Sequence, residues 1–210
     1  MKSKLMIMYA LALVMASCVK TKFYHVNDAS RDWFADTTNL RFTMTDENGI
    51  MQSLRFDAAE SYSTESGTTI LLIPTDKGVH EHITQSGTNT YGTMRVSTTI
   101  SAYKNDDEHE GTDEFRMYFN EACYAGRIDG NLFYPDKCYE ADYDGGMDYT
   151  AEYLDSFEVG GKNYEGVMHL KLVDVGYPRT KYFPTEIYYA KHYGLIRCTL
   201  DDEVRMERRP

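Results

Sequence analysis

The chain has 210 residues and a formal net charge of −11, from 33 acidic and 22 basic side chains. So acidic a surface argues against nucleic acid as a partner, and against adhesion to anionic lipid through protein charge. Eighteen tyrosines, with many Thr and Val, favour strands over helices, and the length suits one domain with a substantial core.

Lys2 and Lys4 open the chain, Leu5 to Met15 form an apolar run, and Ala16 and Ser17 lead to Cys18. Basic start, short apolar run and small residues are the parts of a secretory signal peptide. A helix of that run rises only about 16 Å, short of the ~30 Å a hydrocarbon core requires. Met15-Ala16-Ser17-Cys18 also resembles a bacterial lipobox, in which cleavage before the Cys leaves it as the lipidated first residue. The sequence thus predicts a signal peptide over residues 1–17 and acylation at Cys18, with membrane lipid as the anchor. Ordinary secretion with an incidental Cys is the plainer reading. Two or more acyl chains hold stably, at about 0.8 kcal/mol per buried CH2.

Val19 to Thr38 lacks periodicity, so residues 18–38 read as a tether, with Trp33 packing at the domain edge. From residue 39 to 210 the pattern is that of one β domain. Leu40, Phe42 and Met44 alternate with polar residues, Asn48-Gly49 supplies a hairpin turn, and Leu54 and Phe56 share a face beyond it. The Ser- and Thr-rich stretch up to Thr69 reads as loop. Ile70 to Ile73 reads as a short buried strand stopped by Pro74, followed by a turn over Thr75 to Gly78. Met94 to Ala102 and Phe115 to Phe119 alternate clearly, and Ala122 to Gly146 reads as irregular. Tyr153–Val159 and Tyr164–Leu172 flank a Gly160-Gly161 turn, and strands follow over Thr185–Ala190, Leu195–Leu200 and Val204–Met206.

About ten short strands without a long amphipathic helix predict an all-β, single antiparallel domain. Its edges must be hidden, so a curved sheet or barrel is expected, with a β-sandwich as the alternative.

The chemistry-bearing residues are few. Cys123 and Cys138 lie in the irregular region and are the expected disulfide, which stabilises a loop of that size by about 3 kcal/mol. Three pairings among Cys123, Cys138 and Cys198 are formally possible and all-free thiols remain an alternative, while Cys198 reads as a core thiol beside Ile196 and Leu200. His80 and His82 share a strand face, a pattern that suits a metal and, more commonly, two surface histidines. The acidic loop Asp106 to Glu110 reads as solvated. Asp142, Asp144 and Asp148 partly imitate a calcium loop but lack its closing Glu, so no metal or cofactor is expected. No nucleophile elbow, phosphate loop or dinucleotide fingerprint is present, and no catalytic residue is predicted. The tyrosines, among them Tyr188 and Tyr189, serve sheet packing or the stacking of sugars.

Ser156 to Val167, Glu186-Ile-Tyr-Tyr-Ala-Lys191 and Gly194-Leu-Ile-Arg197 resemble the C-terminal part of uncharacterised Bacteroidota-type envelope lipoproteins. The resemblance implies an outer-membrane lipoprotein and transfers no catalytic residue. Val19 to Lys22 lacks the acidic residues common on surface-exposed members, which leaves the periplasmic and surface faces both open. The expected function is a non-catalytic, membrane-anchored envelope module that binds a ligand or an envelope protein. The alternatives are a carboxylate- or calcium-dependent hydrolase of envelope glycans and a structural subunit of an envelope complex.

Overall fold

The computed structural model describes residues 21–70, 73–102, 112–130, 132–136, 147–176, 178–201 and 203–210. Cys18, Cys138, Asp142, Asp144 and the acidic loop from Asp106 to Glu110 lie outside the described residues.

The strands are β1 (Thr21–Tyr24), β2 (Arg41–Asp46), β3 (Met51–Phe56), β4 (Glu60–Ile70), β5 (Ile73–Asn89), β6 (Arg95–Ala102), β7 (Asp113–Phe119), β8 (Ala122–Asp129), β9 (Leu132–Asp136), β10 (Met147–Val159), β11 (Lys162–Val175), β12 (Pro184–Ala190), β13 (Gly194–Leu200) and β14 (Val204–Arg208). A one-turn helix α1 (Asp28–Arg31) precedes the barrel. The strands form one sheet in the order β10-β11-β12-β13-β14-β2-β3-β5-β6-β7-β8-β9, antiparallel along its path, nearly closed and barrel-shaped. At the seam β10 lies beside β8 and β9. There the Tyr149 hydroxyl accepts from Ala125 N at 2.9 Å and donates to Ala125 O, so a side chain replaces the missing ladder. An antiparallel sheet that closes in this way leaves little free edge in its wall.

Large side chains pack the interior. Trp33, Tyr124, Tyr189, Phe115, Phe119 and Phe183 are among its largest fully buried side chains. Polar atoms inside are bonded across the barrel: the Tyr124 hydroxyl donates to Pro184 O at 3.0 Å, and Thr98 Oγ1 donates to the Tyr189 hydroxyl at 3.3 Å. Burial pushes the Tyr189 phenol up to about 12, so it stays a neutral hydrogen-bonding group.

Residues 21–38 form part of the domain, which corrects the tether reading. β1 pairs in parallel with β5, and Val26, Trp33, Phe34 and Ala35 are buried. Trp33 is wholly buried in the main core. The segment lacks periodicity because it crosses the barrel end in short pieces, a four-residue strand, one helical turn and a 3-10 turn, none long enough to show a repeat.

Four further expectations change. The supposed Ser/Thr-rich loop is β4, and Pro74 lies within β5, opposite Thr69. Glu60 to Gly67 are exposed on both faces of β4, so no apolar alternation marks it. β8 occupies the stretch expected to be irregular, and its first five residues are all buried, which erases the alternation. Gly126 sits there because a Cβ would lie 2.3 Å from Tyr134 O on β9. Ile196 and Cys198 do not share a face. Leu195 and Ile196 together oppose Tyr189 in a bulge, which sends Ile196 outward while Cys198 and Leu200 stay in the main core.

The β10–β11 hairpin turns at Gly160 and Gly161, with φ of +59° and +82°, as a two-residue primed turn requires. Its tip lies against the end of β14 and covers a second apolar cluster of Val159, Tyr164, Val167, Tyr188, Ala190 and Ile196 on the outer wall. Tyr188 and Tyr189 thus serve opposite faces, as alternation predicts.

Candidate functional site

With large side chains filling the interior, the outer wall is where a ligand has room. A groove of about 710 Å³ runs over β3, β5, β6 and β7. Strand registry sets its side chains in two rows: Arg55 opposite Thr88 opposite Arg95, and Ser86 opposite Ser97 opposite Tyr118. Ser86 Oγ and Ser97 Oγ are 3.1 Å apart. Asn120, at φ +53°, closes one end, where its Oδ1 accepts from Arg95 N at 2.9 Å and its Nδ2 donates to Tyr182 O at 2.7 Å. Tyr118 is 41% exposed. Arg55 faces Asp57 at 3.9 Å, whereas no described carboxylate pairs with Arg95. The groove therefore offers a guanidinium without a described carboxylate partner, a second loosely paired one, a ring and a set of hydroxyls. Guanidinium groups bind carboxylates in a planar, bidentate way, and rings stack on sugar faces.

His80 and His82 do share a face, pointing away from the core. His82 Nε2 lies 2.6 Å from Thr64 Oγ1 and its Nδ1 2.8 Å from Ser101 Oγ, while His80 Nε2 lies 2.9 Å from Ser66 Oγ. Tyr24 stacks on His80 and Tyr62 on His82. The imidazoles thus lace β4 and β1 to β5. Burial, then the neighbouring His80, holds His82 below its ordinary range. Among the described residues no group of three His, Cys, Asp or Glu side chains could hold a metal.

Glu81, between the two histidines, faces inward. Arg31 Nη2 donates to both its oxygens at 2.9 and 2.7 Å, and Val26 N and Ser61 Oγ donate at 3.0 Å. Burial alone would raise this carboxyl, and those donors hold it below its ordinary value.

A dense polar cluster lies on β10 to β13. Glu186 receives Tyr188 OH at 3.1 Å and Thr199 Oγ1 at 3.3 Å, with His169 Nε2 at 2.9 Å. His169 stacks on Tyr188 at 4.2 Å, Phe157 stacks on the same ring, and Arg197 lies over it. Both His169 nitrogens face carboxylates, since Nδ1 is 3.6 Å from Glu152, and among the described residues no hydroxyl or thiol hydrogen-bonds to the ring. The cluster welds four strands. Burial raises the Glu186 carboxyl, but hydrogen bonds from His169 and Tyr188 and the nearby charges bring it below its ordinary value. A depressed folded value gives stability that is present above the unfolded value near 4.3 and lost as pH falls through the folded one. Glu186→Gln is therefore expected to cost about 1–2 kcal/mol at pH 7 and little in acid, read by urea unfolding at both pH values. An equal cost at both would remove the ionic account.

Cys123 is disulfide-bonded, and Cys138, its expected partner, lies outside the described residues. Cys198 is free and buried, and burial pushes its thiol up. Asp148 is exposed at the start of β10, while Asp142 and Asp144 lie outside the described residues. The groove went unread in the sequence: its residues alternate with core residues on four separate strands, and only registry brings them together. Among the described residues no helix is long and apolar enough to cross a membrane. These features define a nearly closed, filled β-barrel with an outer polar groove. Comparison with known proteins finds no matching family model, no similar curated protein and no similar solved structure.

Proposed function

We propose that this chain is a non-catalytic envelope lipoprotein, anchored through acylated Cys18, whose barrel wall binds an anionic saccharide in the groove over β3, β5, β6 and β7. The leader residues support the anchor. The observation that carries the binding reading is Arg95, a guanidinium with no described carboxylate partner, set beside Tyr118 and paired hydroxyls on an otherwise acidic protein. With the interior packed by aromatic side chains, the reading puts the ligand on the outer wall.

The ligand class is set by the groups present: a carboxylated sugar matches Arg95 and Arg55, its ring face matches Tyr118, and its hydroxyls match Ser86, Thr88 and Ser97. Titration calorimetry with hexuronate oligosaccharides is expected to show saturable, salt-sensitive binding, with neutral glucans binding far more weakly. Arg95→Ala and Tyr118→Ala should each weaken it about tenfold, equivalent to ~1.4 kcal/mol. Equal affinity for neutral glucans, or no effect of either substitution, would overturn the reading.

A further inference from the structure

The groove over β3, β5, β6 and β7 does not end at Arg55. Arg55 and Asp57 also line a second cleft of about 500 Å³, together with Thr37, Thr38 and Leu40. Across β2 and β3 the residue directly opposite Arg55 is Arg41. Registry therefore sets Arg41, Arg55, Thr88 and Arg95 in a single row over β2, β3, β5 and β6. All four are exposed. Three strand intervals of about 5 Å carry the row across about 15 Å.

The charges in that row point to a ligand. Like charges directly opposite one another destabilise a sheet, yet Arg41 and Arg55 are such a pair. The chain has 33 acidic residues, and among the described ones only Asp57, at 3.9 Å from Arg55, forms an ion pair with any of the three arginines. The row is also bounded. Where the cleft continues past Thr38 its next guanidinium is Arg31, which Glu81 already holds at 2.7 Å. The backbone around the row is tied down: Phe56 N donates to Leu40 O at 2.7 Å, and Asp57 N donates to Ser86 O at 2.8 Å. Asn39 Nδ2 donates to His192 O at 2.9 Å, which holds the turn that carries Thr37 and Thr38. The three guanidiniums thus rise from backbone already in place, so that binding orders side chains alone.

We infer that the groove takes a linear polyuronate and not a single acidic sugar, and that Arg41 is the subsite that reads its length. The inference rests on the saccharide-binding reading above. A chain of 4-linked uronates carries a carboxylate on every ring, and its rings repeat at an interval close to that between strands. Four rings then span the row from Arg95 to Arg41. The ring at Tyr118 and Arg95 begins the track, and Arg55 and Arg41 take carboxylates further along in the bidentate manner of guanidiniums. Thr88, Thr37 and Thr38 supply hydroxyls beside them.

The test is titration calorimetry of the full chain with digalacturonate and tetragalacturonate. The disaccharide fills the end at Arg95 and Tyr118, and the tetrasaccharide is expected to bind about tenfold tighter by reaching Arg41. Arg41→Ala should remove that gain and leave the disaccharide affinity unchanged. Its urea midpoint should not fall, because the substitution relieves a like-charge pair, which separates lost affinity from lost structure. Equal affinity for the two ligands overturns the extended track and leaves the saccharide site standing. So does a gain that survives in Arg41→Ala, since a longer chain binds in more registers without any further subsite. Binding of neither ligand overturns the site itself, and the track with it.

Discussion

Trp33→Ala is expected to destabilise the protein by about 3–5 kcal/mol in urea unfolding, among the largest losses any single side chain here should give. The indole is 0% exposed and seals one end of the barrel. Its Nε1 donates to Gly130 O in the β8–β9 turn at 3.4 Å, and Lys191 lies over the ring at 5.2 Å. The backbone on either side is tied to the β12–β13 turn, where His192 N donates to Asp32 O at 2.7 Å and Asp36 N donates to His192 O at 2.9 Å. Such bracing keeps the segment from collapsing into the space an alanine leaves, so the cavity term adds to the lost transfer energy. Trp33→Phe should recover about half of the loss, because a ring still fills most of the site. A loss below about 1 kcal/mol for Trp33→Ala would mean that the segment is a loosely laid strap.

The same residue shows how far the sequence can be read. Strands with one wet face, such as β2 and β6, carry the strict alternation that assigns them from residues alone. The β2–β3 and β10–β11 hairpins were equally legible, since Asn48-Gly49 and Gly160-Gly161 allow little else between alternating runs. Where burial departs from one-sidedness the signal fails. β4 is wet on both faces and reads as loop, while the first part of β8 is dry on both and reads as irregular. At the Leu195–Ile196 bulge one extra residue reverses the alternation of faces along β13, so counting by twos misplaces Ile196. Trp33 gave no periodic signal, because it fills a hole whose walls come from strands a hundred residues away. The groove was hidden for a related reason. Arg55, Arg95 and Tyr118 each sit on the wet side of a correctly read strand, but their adjacency depends on strand order, which no local pattern encodes.

Gln85→Leu should cost about 3 kcal/mol, although the replacement is apolar and similar in size. Gln85 is 1% exposed, on the same inward face of β5 as Glu81 and Ile83. Its Oε1 accepts from Ala35 N at 2.8 Å, and its Nε2 donates to Ala35 O at 3.0 Å and Asp57 O at 3.1 Å. Leucine would leave that N–H and two carbonyls without this partner in a dry site, each worth about 1 kcal/mol or more. Together with Glu81, which takes Val26 N and Arg31, and Asp113, which takes Asn27 N at 2.9 Å, it pins the chain from residue 26 to 35 onto the barrel end. Burial pushes the Asp113 carboxyl up, moderated by donors from that same segment. If Trp33 and Gln85 hold one docked unit, releasing it by either change already forfeits part of what the other contributes. The double variant Trp33→Ala/Gln85→Leu should then lose at least about 1 kcal/mol less than the two single losses combined. Strict additivity in the unfolding cycle would show instead that the plug and the hydrogen-bonded pin act separately. The barrel end would then be closed by independent contacts and not by a cooperative cap.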